Sequence, residues 1–398
     1  MKILLINHFP LQGSGSGIYT MNIARELVKK GHEVQVIDLD NIFDKNSYGF
    51  THTTILCNKF ENPAADLDFN FPCFTTHPRS LQTFYDLDNE QLKKYVESMN
   101  KAVRKVCKKF KPDVIHAQHL WISPYVAYKN KIPYIATCHG TDLMGFRKDE
   151  RYHSYALTGA RNASKIIAIS EQVHADILDT YKIPDEQIQL VPNGFDQDIF
   201  KVLEIDRAKI LQQFGVESPA EKVVSFVGKF TDFKGIDLLI DAVKTITEVF
   251  PSVKFLLAGD GQLLPNLKKI TEDENMTNVH FLGHLSQQAV SKLYNLADVS
   301  VVPSRVEPFG LVAIEALACG TPVIATNAGG LPDFINAEVG QLIEQENSVA
   351  LAKAIIEELQ QNTKLTKGKY AAKYASENFS WEHSINSVID LYQQAIDK

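Results

Sequence analysis

With 398 residues, the chain is long enough for two domains of ordinary size, and its hydrophobic (44%) and charged (22%) fractions are typical of a globular protein. A net charge of −7 argues against a general nucleic-acid binder, and no apolar run reaches transmembrane length. Five scattered cysteines without a CxxC pair suggest neither a disulfide framework nor a zinc site, so a cytoplasmic location is the simplest expectation.

Short apolar runs alternate with helical patterns through most of the chain and fall into two series. In the first series we expect strands at Ile3–Ile6, Val34–Ile37, Val114–His116, Tyr134–Cys138 and Lys165–Ile169. In the second we expect them at Val223–Val227, Lys254–Ala258, Val279–Leu282, Val299–Val302 and Pro322–Ala325. Strands that are apolar on both faces and alternate with helices predict a parallel sheet covered on both sides. The sequence therefore predicts two Rossmann-like domains, with a linker near Asp196–Pro219.

The region from Asn41 to Asp88 interrupts this pattern. It is rich in Asn, Asp, Phe, Thr and Pro, and its periodicity is poor. A long irregular connection in a compact domain is often functional, but a plain surface excursion explains the composition equally well.

A helix is predicted over Glu90–Lys111, because apolar residues recur at helical spacing from Leu92 to Phe110. Its opposite face is basic and contains Lys93, Lys94, Lys101, Arg104, Lys105, Lys108 and Lys109. A solvated face on a core-packed helix explains these charges. Peripheral docking onto anionic lipid at the inner face of a membrane is the alternative.

A glycine-rich segment, Gly13–Gly17, follows the first strand and precedes a helix expected to begin near Ile18. Glycines let the backbone approach a ligand closely, and a helix start favours an anion. The spacing is GxGxG and not the dinucleotide fingerprint GxGxxG, although Asp38 and Asp40 do close the second strand. A flexible turn without a ligand stays open as an interpretation.

Three further motifs lie at the ends of predicted strands or at the predicted domain junction. GKFTDFKG places Lys229 and Lys234 after the first strand of the second series, where two cations beside glycines suit a diphosphate. CHGTD places His139 at the end of a strand in the first series. VPNGFD, from Val191 to Asp196, is either a hinge turn or a ligand contact.

The most informative segment is EPFGLVAIEALACGTPVIAT, from Glu307 to Thr326. Glu307 and Glu315 are eight positions apart, a little over two helical turns, which would place both acids on the same side of a helix. Gly310 stands where a loop would leave free N–H groups at a helix start, which is a ready anion site. Together these features predict a nucleotide-sugar pocket.

The chain resembles glycosyltransferase family 4, the retaining enzymes with the GT-B fold of two facing Rossmann-like domains and a cleft between them. The motifs that carry the resemblance span nearly the whole length and are Gly13–Gly17, Gly31–Val34, His139–Asp142, Pro192–Asp196, Gly228 with Lys234 and Gly235, Gly259–Gly261, and Glu307–Thr326. The resemblance implies an acceptor domain over residues 1–200, a nucleotide-sugar donor domain over 201–380, and a last helix over 381–398 that crosses back to the first domain.

The resemblance also implies roles for individual residues. Glu307 would hold hydroxyls of the donor sugar, Lys229 and Lys234 would hold the diphosphate, Glu315 the ribose, and His139 would sit by the transferred sugar. Three further groups of residues are implied: the backbone of Phe309, Gly310 and Leu311 for the sugar and distal phosphate, His284 and Leu285 for the base, and Gly15, Ser16 and Gly17 for phosphate or acceptor. The family usually has Arg where this chain has Lys229, which loses the bidentate fork of a guanidinium.

The implied reaction moves a hexose from a nucleoside-diphosphate sugar, UDP-linked by preference, to an acceptor hydroxyl with retention of configuration and without a metal or other cofactor. His139, Lys234 and Glu307 are the implied catalytic residues. The acceptor stays open between a glycan, a lipid-linked sugar and a small molecule. A nucleotide-sugar epimerase of the same fold and a non-catalytic binding subunit are the alternatives, and the E-x7-E segment argues against the first of them.

Overall fold

The computed structural model of the chain describes residues 1–43, 47–58, 63–75, 77, 79–80, 82–216 and 220–398. These residues divide into two compact units. Unit 1 contains Met1–Pro192 and Trp381–Lys398, and unit 2 contains Asn193–Ser380. The division therefore falls slightly before the expected boundary at residue 200.

Unit 1 is built on one parallel sheet, and its strands alternate with helices along the chain. Its elements before the junction are β1 (Lys2–Ile6), α1 (Gly15–Lys29), β2 (Glu33–Asp40), β3 (Thr51–Leu56), α2 (Asn89–Phe110), β4 (Val114–Gln118), α3 (Ser123–Asn130), β5 (Tyr134–Cys138), α4 (Thr141–Lys148), α5 (His153–Arg161), β6 (Lys165–Ala168), α6 (Glu171–Tyr181) and β7 (Ile188–Leu190). Among the described residues the strand order is β3-β2-β1-β4-β5-β6-β7, and every neighbouring pair is parallel.

Unit 2 repeats the same plan. Its elements are α7 (Arg207–Gln213), β8 (Val223–Val227), α8 (Ile236–Val249), β9 (Lys254–Ala258), α9 (Leu264–Asp273), β10 (Val279–Gly283), α10 (Gln287–Leu296), β11 (Val299–Val302), α11 (Leu311–Ala318), β12 (Val323–Thr326), β13 (Gly340–Ile343), α12 (Ser348–Gln361) and α13 (Lys364–Asn378). Its sheet order in the described part of the chain is β10-β9-β8-β11-β12-β13, again all parallel.

The last helix, α14 (Trp381–Ile396), belongs to unit 1 although it follows unit 2 in the chain. Its apolar residues Trp381, Ile385, Val388, Leu391 and Tyr392 lie in one buried cluster with residues of β1, α1 and β2. Burial of this apolar face holds the helix against unit 1. No helix in the described ranges is long and apolar enough to span a membrane.

Two expectations about irregular segments are corrected by the structure. The region Asn41–Asp88 contains β3, which pairs in parallel with β2, and a short 3₁₀ helix at Phe84–Asp86. The expected linker Asp196–Pro219 contains α7, whose Ile210 and Leu211 are buried in a cluster of unit 2. Positions 44–46, 59–62, 76, 78, 81 and 217–219 of these two segments lie outside the described residues.

Both sheets reverse their strand order at one point. In unit 1 the reversal falls between β1 and β4, and in unit 2 between β8 and β11. Ligands of open α/β sheets bind outside the carboxyl ends of the strands at such a point, because the helices that follow the two strands lie on opposite faces. The loops after β1, β4, β8 and β11 are therefore where functional side chains are expected.

Candidate active site

In unit 2, the two loops at the reversal point are bonded to each other. The loop after β8 contains the short 3₁₀ helix Asp232–Lys234, and the loop after β11 contains Glu307. The backbone N–H groups of Arg305 and Val306 both donate to the carbonyl oxygen of Phe233, at 2.8 and 3.2 Å. The two segments that the sequence analysis identified separately are thus hydrogen-bonded to each other in the structure.

An ion pair joins the two loops through their side chains. Lys234 Nζ lies 2.6 Å from Glu307 Oε2, and the Ser304 hydroxyl donates to the same oxygen at 2.9 Å. The Glu307 side chain is 8% exposed and that of Lys234 is 27% exposed, so the carboxylate is enclosed while the ammonium group keeps contact with solvent. A buried carboxylate is stable when hydrogen-bond donors reach it, and here one donor is charged (Lys234) and one is neutral (Ser304).

The backbone around Glu307 requires glycines on both sides. A Cβ atom at Gly329 would lie 1.9 Å from the carbonyl oxygen of Glu307, and one at Gly235 would lie 1.9 Å from that of Pro303. Both glycines also have positive φ angles, of +55° and +61°. The loop after β11 is therefore packed directly between two backbone segments, with no room for a side chain at either glycine.

The expected placement of both acids on one helix is wrong. The helix α11 begins at Leu311, so Glu307 lies in the preceding loop and only Glu315 is helical. The turn between them is made at Gly310, whose φ of +108° disfavours other residues. The helix start falls directly after Gly310, and binding of an anion by the N–H groups there stays a prediction.

Burial governs the ionisation of Glu315. Burial, and to a smaller extent the nearby Asp196 carboxylate, raises the pKa of the Glu315 carboxyl to about 8. A carboxyl with this pKa is largely protonated at neutral pH, so it is able both to donate and to accept a hydrogen bond. The Phe309 ring packs beside Phe334, with 5.7 Å between ring centroids, and the residue is buried, so the ring is part of the core of unit 2.

The other predicted donor residues follow the carboxyl ends of two strands, β8 and β10, which lie on either side of β9 in the sheet. Lys229 follows β8 and is exposed. His284 and Leu285 follow β10, where His284 is exposed and Leu285 packs against a buried cluster that includes Ile210. Each lies where the sequence pattern put it, at the carboxyl edge of the sheet.

In unit 1, His139 directly follows β5 and is held on two sides. Its Nε2 is 2.9 Å from Gln118 Oε1, and its backbone N–H donates to Asp142 Oδ1 at 3.2 Å. The edge of the Tyr19 ring meets the imidazole at a centroid distance of 5.0 Å. Burial lowers the pKa of His139 to about 3, so its imidazole is neutral at physiological pH.

The glycine-rich segment begins a helix earlier than expected. Helix α1 starts at Gly15 and not near Ile18, so Gly15, Ser16 and Gly17 form its first turn. Ser14 is the N-cap, and its hydroxyl accepts the Gly17 N–H at 3.0 Å. A Cβ at Gly17 would lie 2.1 Å from the Pro10 carbonyl oxygen, so close packing explains this glycine without a ligand, while Gly15 is exposed.

Two site residues escaped the sequence analysis. Ser304 and Gln118 each bond to a predicted site residue, and each lies at or just after the carboxyl end of a strand at a reversal point. A polar residue at that position of a buried strand is the signal that could have identified them. Among the described residues, no group of three or more His, Cys, Asp and Glu side chains is placed to hold a metal ion.

Two family models together match most of the chain. The model for glycosyltransferase family 4 matches residues 13–199, and the model for glycosyl transferases group 1 matches residues 208–376. The chain belongs to this family of glycosyltransferases, and its two parallel-sheet units are those of the GT-B fold.

Individual relatives cover most or all of the chain. An uncharacterized glycosyltransferase of Methanocaldococcus jannaschii is 32% identical over 72% of this chain and 76% of its own length. The N-acetyl-alpha-D-glucosaminyl L-malate synthase of Bacillus anthracis is 25% identical over 100% of this chain and 98% of its own. The structure of Anabaena HepE in complex with UDP and glucose superposes with a TM-score of 0.75 at 21% identity, covering 99% of both chains.

Proposed function

We propose that the protein is a retaining hexosyltransferase that uses a nucleoside-diphosphate sugar, UDP-linked, without a metal ion. The observation that carries the proposal is the Lys234–Glu307 pair, which joins a cation and an enclosed carboxylate at the reversal point of unit 2, beside the start of α11. A sugar diphosphate needs acceptors for its hydroxyls and positive potential for its phosphates, and this arrangement supplies both. The UDP bound in the Anabaena structure supports the choice of base.

The proposed role of Glu307 follows from its contacts. Lys234 and Ser304 both bond to Oε2, so Oε1 has no hydrogen-bond partner in the described part of the chain and keeps its lone pairs for sugar hydroxyls. Because the carboxylate is enclosed, its hydrogen bonds to those hydroxyls are strengthened by the low local dielectric. Donor binding would also draw Lys234 towards the diphosphate, since the ammonium group is the more accessible partner.

The proposed reaction breaks the bond between the anomeric carbon and the diphosphate oxygen. The acceptor oxygen forms its bond to that carbon on the same face, and its proton passes to the departing diphosphate. Negative charge collects on the leaving group, and Lys229, Lys234 and the N–H groups of α11 would stabilise it in the transition state. His139, which is neutral, would lie beside the transferred sugar.

A ligand screen tests the donor site directly. We expect UDP or a UDP-hexose to raise the melting temperature in the presence of EDTA, because a ligand that binds only the folded state stabilises it by mass action. Lys234→Ala and Glu307→Ala should remove the shift and reduce transfer at least about 100-fold while leaving the fold intact. The matched control is Lys269→Ala, an exposed lysine on α9.

Three results would contradict the proposal. Absence of a shift with UDP, GDP, ADP and their hexose conjugates would remove the donor site. A requirement for a divalent ion would remove the metal-free mechanism. Inverted configuration at the anomeric carbon of the product, read from the proton coupling constant by NMR, would remove retention. Acceptors for the assay should include hydroxy acids, since the Bacillus relative is named an N-acetyl-alpha-D-glucosaminyl L-malate synthase.

We also propose that α2 docks unit 1 onto an anionic membrane surface. From Lys101 to Phe110 the helix carries five cations and no acid. These cations, Lys101, Arg104, Lys105, Lys108 and Lys109, are exposed and make no ion pair with another described residue. The opposite face of α2 is buried, which fixes the orientation of the charged face, and basic helices of this kind are attracted to anionic lipid.

Co-sedimentation with vesicles tests the docking. The protein should pellet with phosphatidylcholine vesicles that contain phosphatidylglycerol and not with phosphatidylcholine alone, and binding should weaken as salt increases. Lys105→Glu with Lys108→Glu should abolish it, whereas Lys268→Glu with Lys269→Glu, an equal charge change on α9, should not. Equal loss in both double variants, or no pelleting at low salt, would contradict a role for this helix.

A further inference from the structure

Gln118 is a fully buried polar residue at the reversal point of the unit 1 sheet. It ends β4, and its side chain is 0% exposed. The Ser123 hydroxyl donates to the backbone carbonyl oxygen of Gln118 at 2.6 Å. The residue after Gln118, His119, donates its backbone N–H to the carbonyl oxygen of Thr137 at 2.8 Å. His119 has a φ of +67°, which costs energy in a non-glycine residue and is retained where the surrounding structure enforces it. The backbone that carries Gln118 is therefore rigidly placed.

The side chain of Gln118 contacts the one histidine that the proposed function uses. Gln118 Oε1 is 2.9 Å from His139 Nε2. The contacting atom is the amide oxygen, which only accepts hydrogen bonds, so with the amide in this orientation the proton of the neutral imidazole is on Nε2. The lone pair is then on Nδ1. Among the described residues this atom has no hydrogen-bond partner, and it is not one of the polar atoms that are buried without a partner. Nδ1 therefore faces accessible space as a hydrogen-bond acceptor.

A packing role alone does not explain an amide at this position. Gln118 Nε2 is buried and has no hydrogen-bond partner within the described residues. An unsatisfied buried donor is costly, and a leucine or methionine would fill the same volume without that cost. A buried amide that carries such a cost is expected to serve the site beside it.

We propose that Gln118 is a positioning residue that locks His139 as the Nε2–H tautomer, so that Nδ1 accepts a hydrogen bond from a hydroxyl of the bound sugar. This inference rests on the proposed function for the identity of the ligand, and on geometry for the tautomer. The amide is suited to this task because it carries no charge: it orients the ring without drawing a proton onto it.

Other titratable groups face the imidazole and have to be considered. They are Tyr19 from α1, His116 from β4, His119 after β4, and Asp142 from α4. Asp142 accepts the backbone N–H of His139 and not the ring, and burial lowers the pKa values of both neighbouring histidines, so they are neutral. None of these groups donates a proton to His139 or withdraws one from it near neutral pH.

Histidine NMR tests the tautomer without any substrate. In protein labelled with ¹⁵N-histidine, the two-bond proton–nitrogen correlations of His139, assigned by its absence in His139→Ala, should show the Nε2–H tautomer between pH 6 and pH 8. An Nδ1–H pattern or a charged ring in the wild-type protein would overturn the proposal, whatever the activity of the enzyme. This reading depends on no variant of Gln118.

Kinetics with variants of Gln118 complete the test. Gln118→Leu should lower both kcat and kcat/KM for the donor at least about tenfold, because the ring is no longer held in the tautomer that accepts the sugar hydroxyl. Gln118→Glu should raise the pKa of His139, because a carboxylate beside Nε2 favours the imidazolium, and should add an ionisation to the pH profile of kcat. The control is Gln189→Leu, an exposed glutamine on β7.

The outcomes separate this inference from the proposed function. A lowered melting temperature with unchanged kcat and pH profile would show that Gln118 is only structural, and would overturn the inference while leaving the transferase intact. If the wild-type protein transfers no sugar from any donor but His139 shows the Nε2–H tautomer, the tautomer assigned to His139 is confirmed and the proposed function is wrong.

Discussion

Ser304 shows how a single hydroxyl can set the orientation of a binding carboxylate. It is 1% exposed and donates to Glu307 Oε2, the oxygen that also accepts from Lys234. We expect Ser304→Ala to lower kcat/KM for the donor about tenfold or more, since a hydrogen bond to a charged group contributes about 1.5–3 kcal/mol. Steady-state kinetics will measure it. Ser376→Ala on α13, whose hydroxyl bonds to its own helix, should have no effect, and an unchanged kcat/KM in Ser304→Ala would contradict the orienting role.

Glu315 makes the stability of unit 2 depend on pH. Burial raises the pKa of its carboxyl from 4.5 to about 8, so between these values the folded state binds more protons than the unfolded state. Stability should therefore fall as pH rises from 5 to 8, by at most about 1.4 kcal/mol per pH unit. Glu315→Gln does not titrate and should show a flatter curve.

The measurement has to report on unit 2, because both tryptophans, Trp121 and Trp381, belong to unit 1. Hydrogen exchange of peptides from β11 and β12 at pH 5, 7 and 9, after correction for the intrinsic pH dependence of exchange, satisfies this condition. Parallel stability curves for the wild-type protein and Glu315→Gln would show that the pKa of Glu315 is not raised.

At the scale of elements, the close contact between the Gly329 backbone and the loop after β11 predicts a sharp difference between two glycines. Gly329 and Gly215 both have positive φ, but only Gly329 would bring a Cβ against another backbone. Gly215→Ala should cost about 1–2 kcal/mol for its conformation alone. Gly329→Ala should cost distinctly more and should also reduce transfer, because the Glu307 backbone must move. Thermal unfolding and transfer assays will measure both, and equal effects would contradict the close-contact argument.

The strands that sequence reasoning missed share one property. β3, β7 and β13 are edge strands of their sheets, and each is partly exposed. A strand with one neighbour does not need an unbroken apolar run, so Thr51–Leu56 reads as an alternating polar segment. The buried strands Tyr134–Cys138, Val223–Val227, Lys254–Ala258 and Val299–Val302 have the bounds that their apolar runs predict.

The site was only partly predictable for a related reason. Lys234 and Glu307 are identifiable from their motifs, but they are 73 residues apart and their ion pair follows from the strand order. Ser304 and Gln118 belong to no motif in the sequence. Their roles become visible only when the strand ends are placed beside the loops they support.

At the scale of the whole molecule, α14 couples the chain after unit 2 to the stability of unit 1. Ending the chain at Ser380 would remove Trp381, Ile385, Val388, Leu391 and Tyr392 from a buried cluster, and with Tyr392 its hydrogen bond to His116. We expect the truncated protein to lose exchange protection in β1, β4 and β5 while the unit 2 strands stay protected. Hydrogen exchange with mass spectrometry will measure this.

The control for the truncation removes only Asp397 and Lys398, which follow α14. That variant should match the full chain in both units. Loss of protection in unit 2 after removal of α14, or full protection of unit 1 without it, would contradict the packing argument.

The position of α14 in the chain also bears on how the protein is made. During synthesis an N-terminal domain usually folds before the next domain has been completely translated. Here the helix that completes unit 1 is translated only after all of unit 2, from Asn193 to Ser380, has been synthesised. The nascent unit 1 therefore carries uncovered apolar surface beside β1 and α1 throughout that time, and translation gives unit 2 the first opportunity to finish folding.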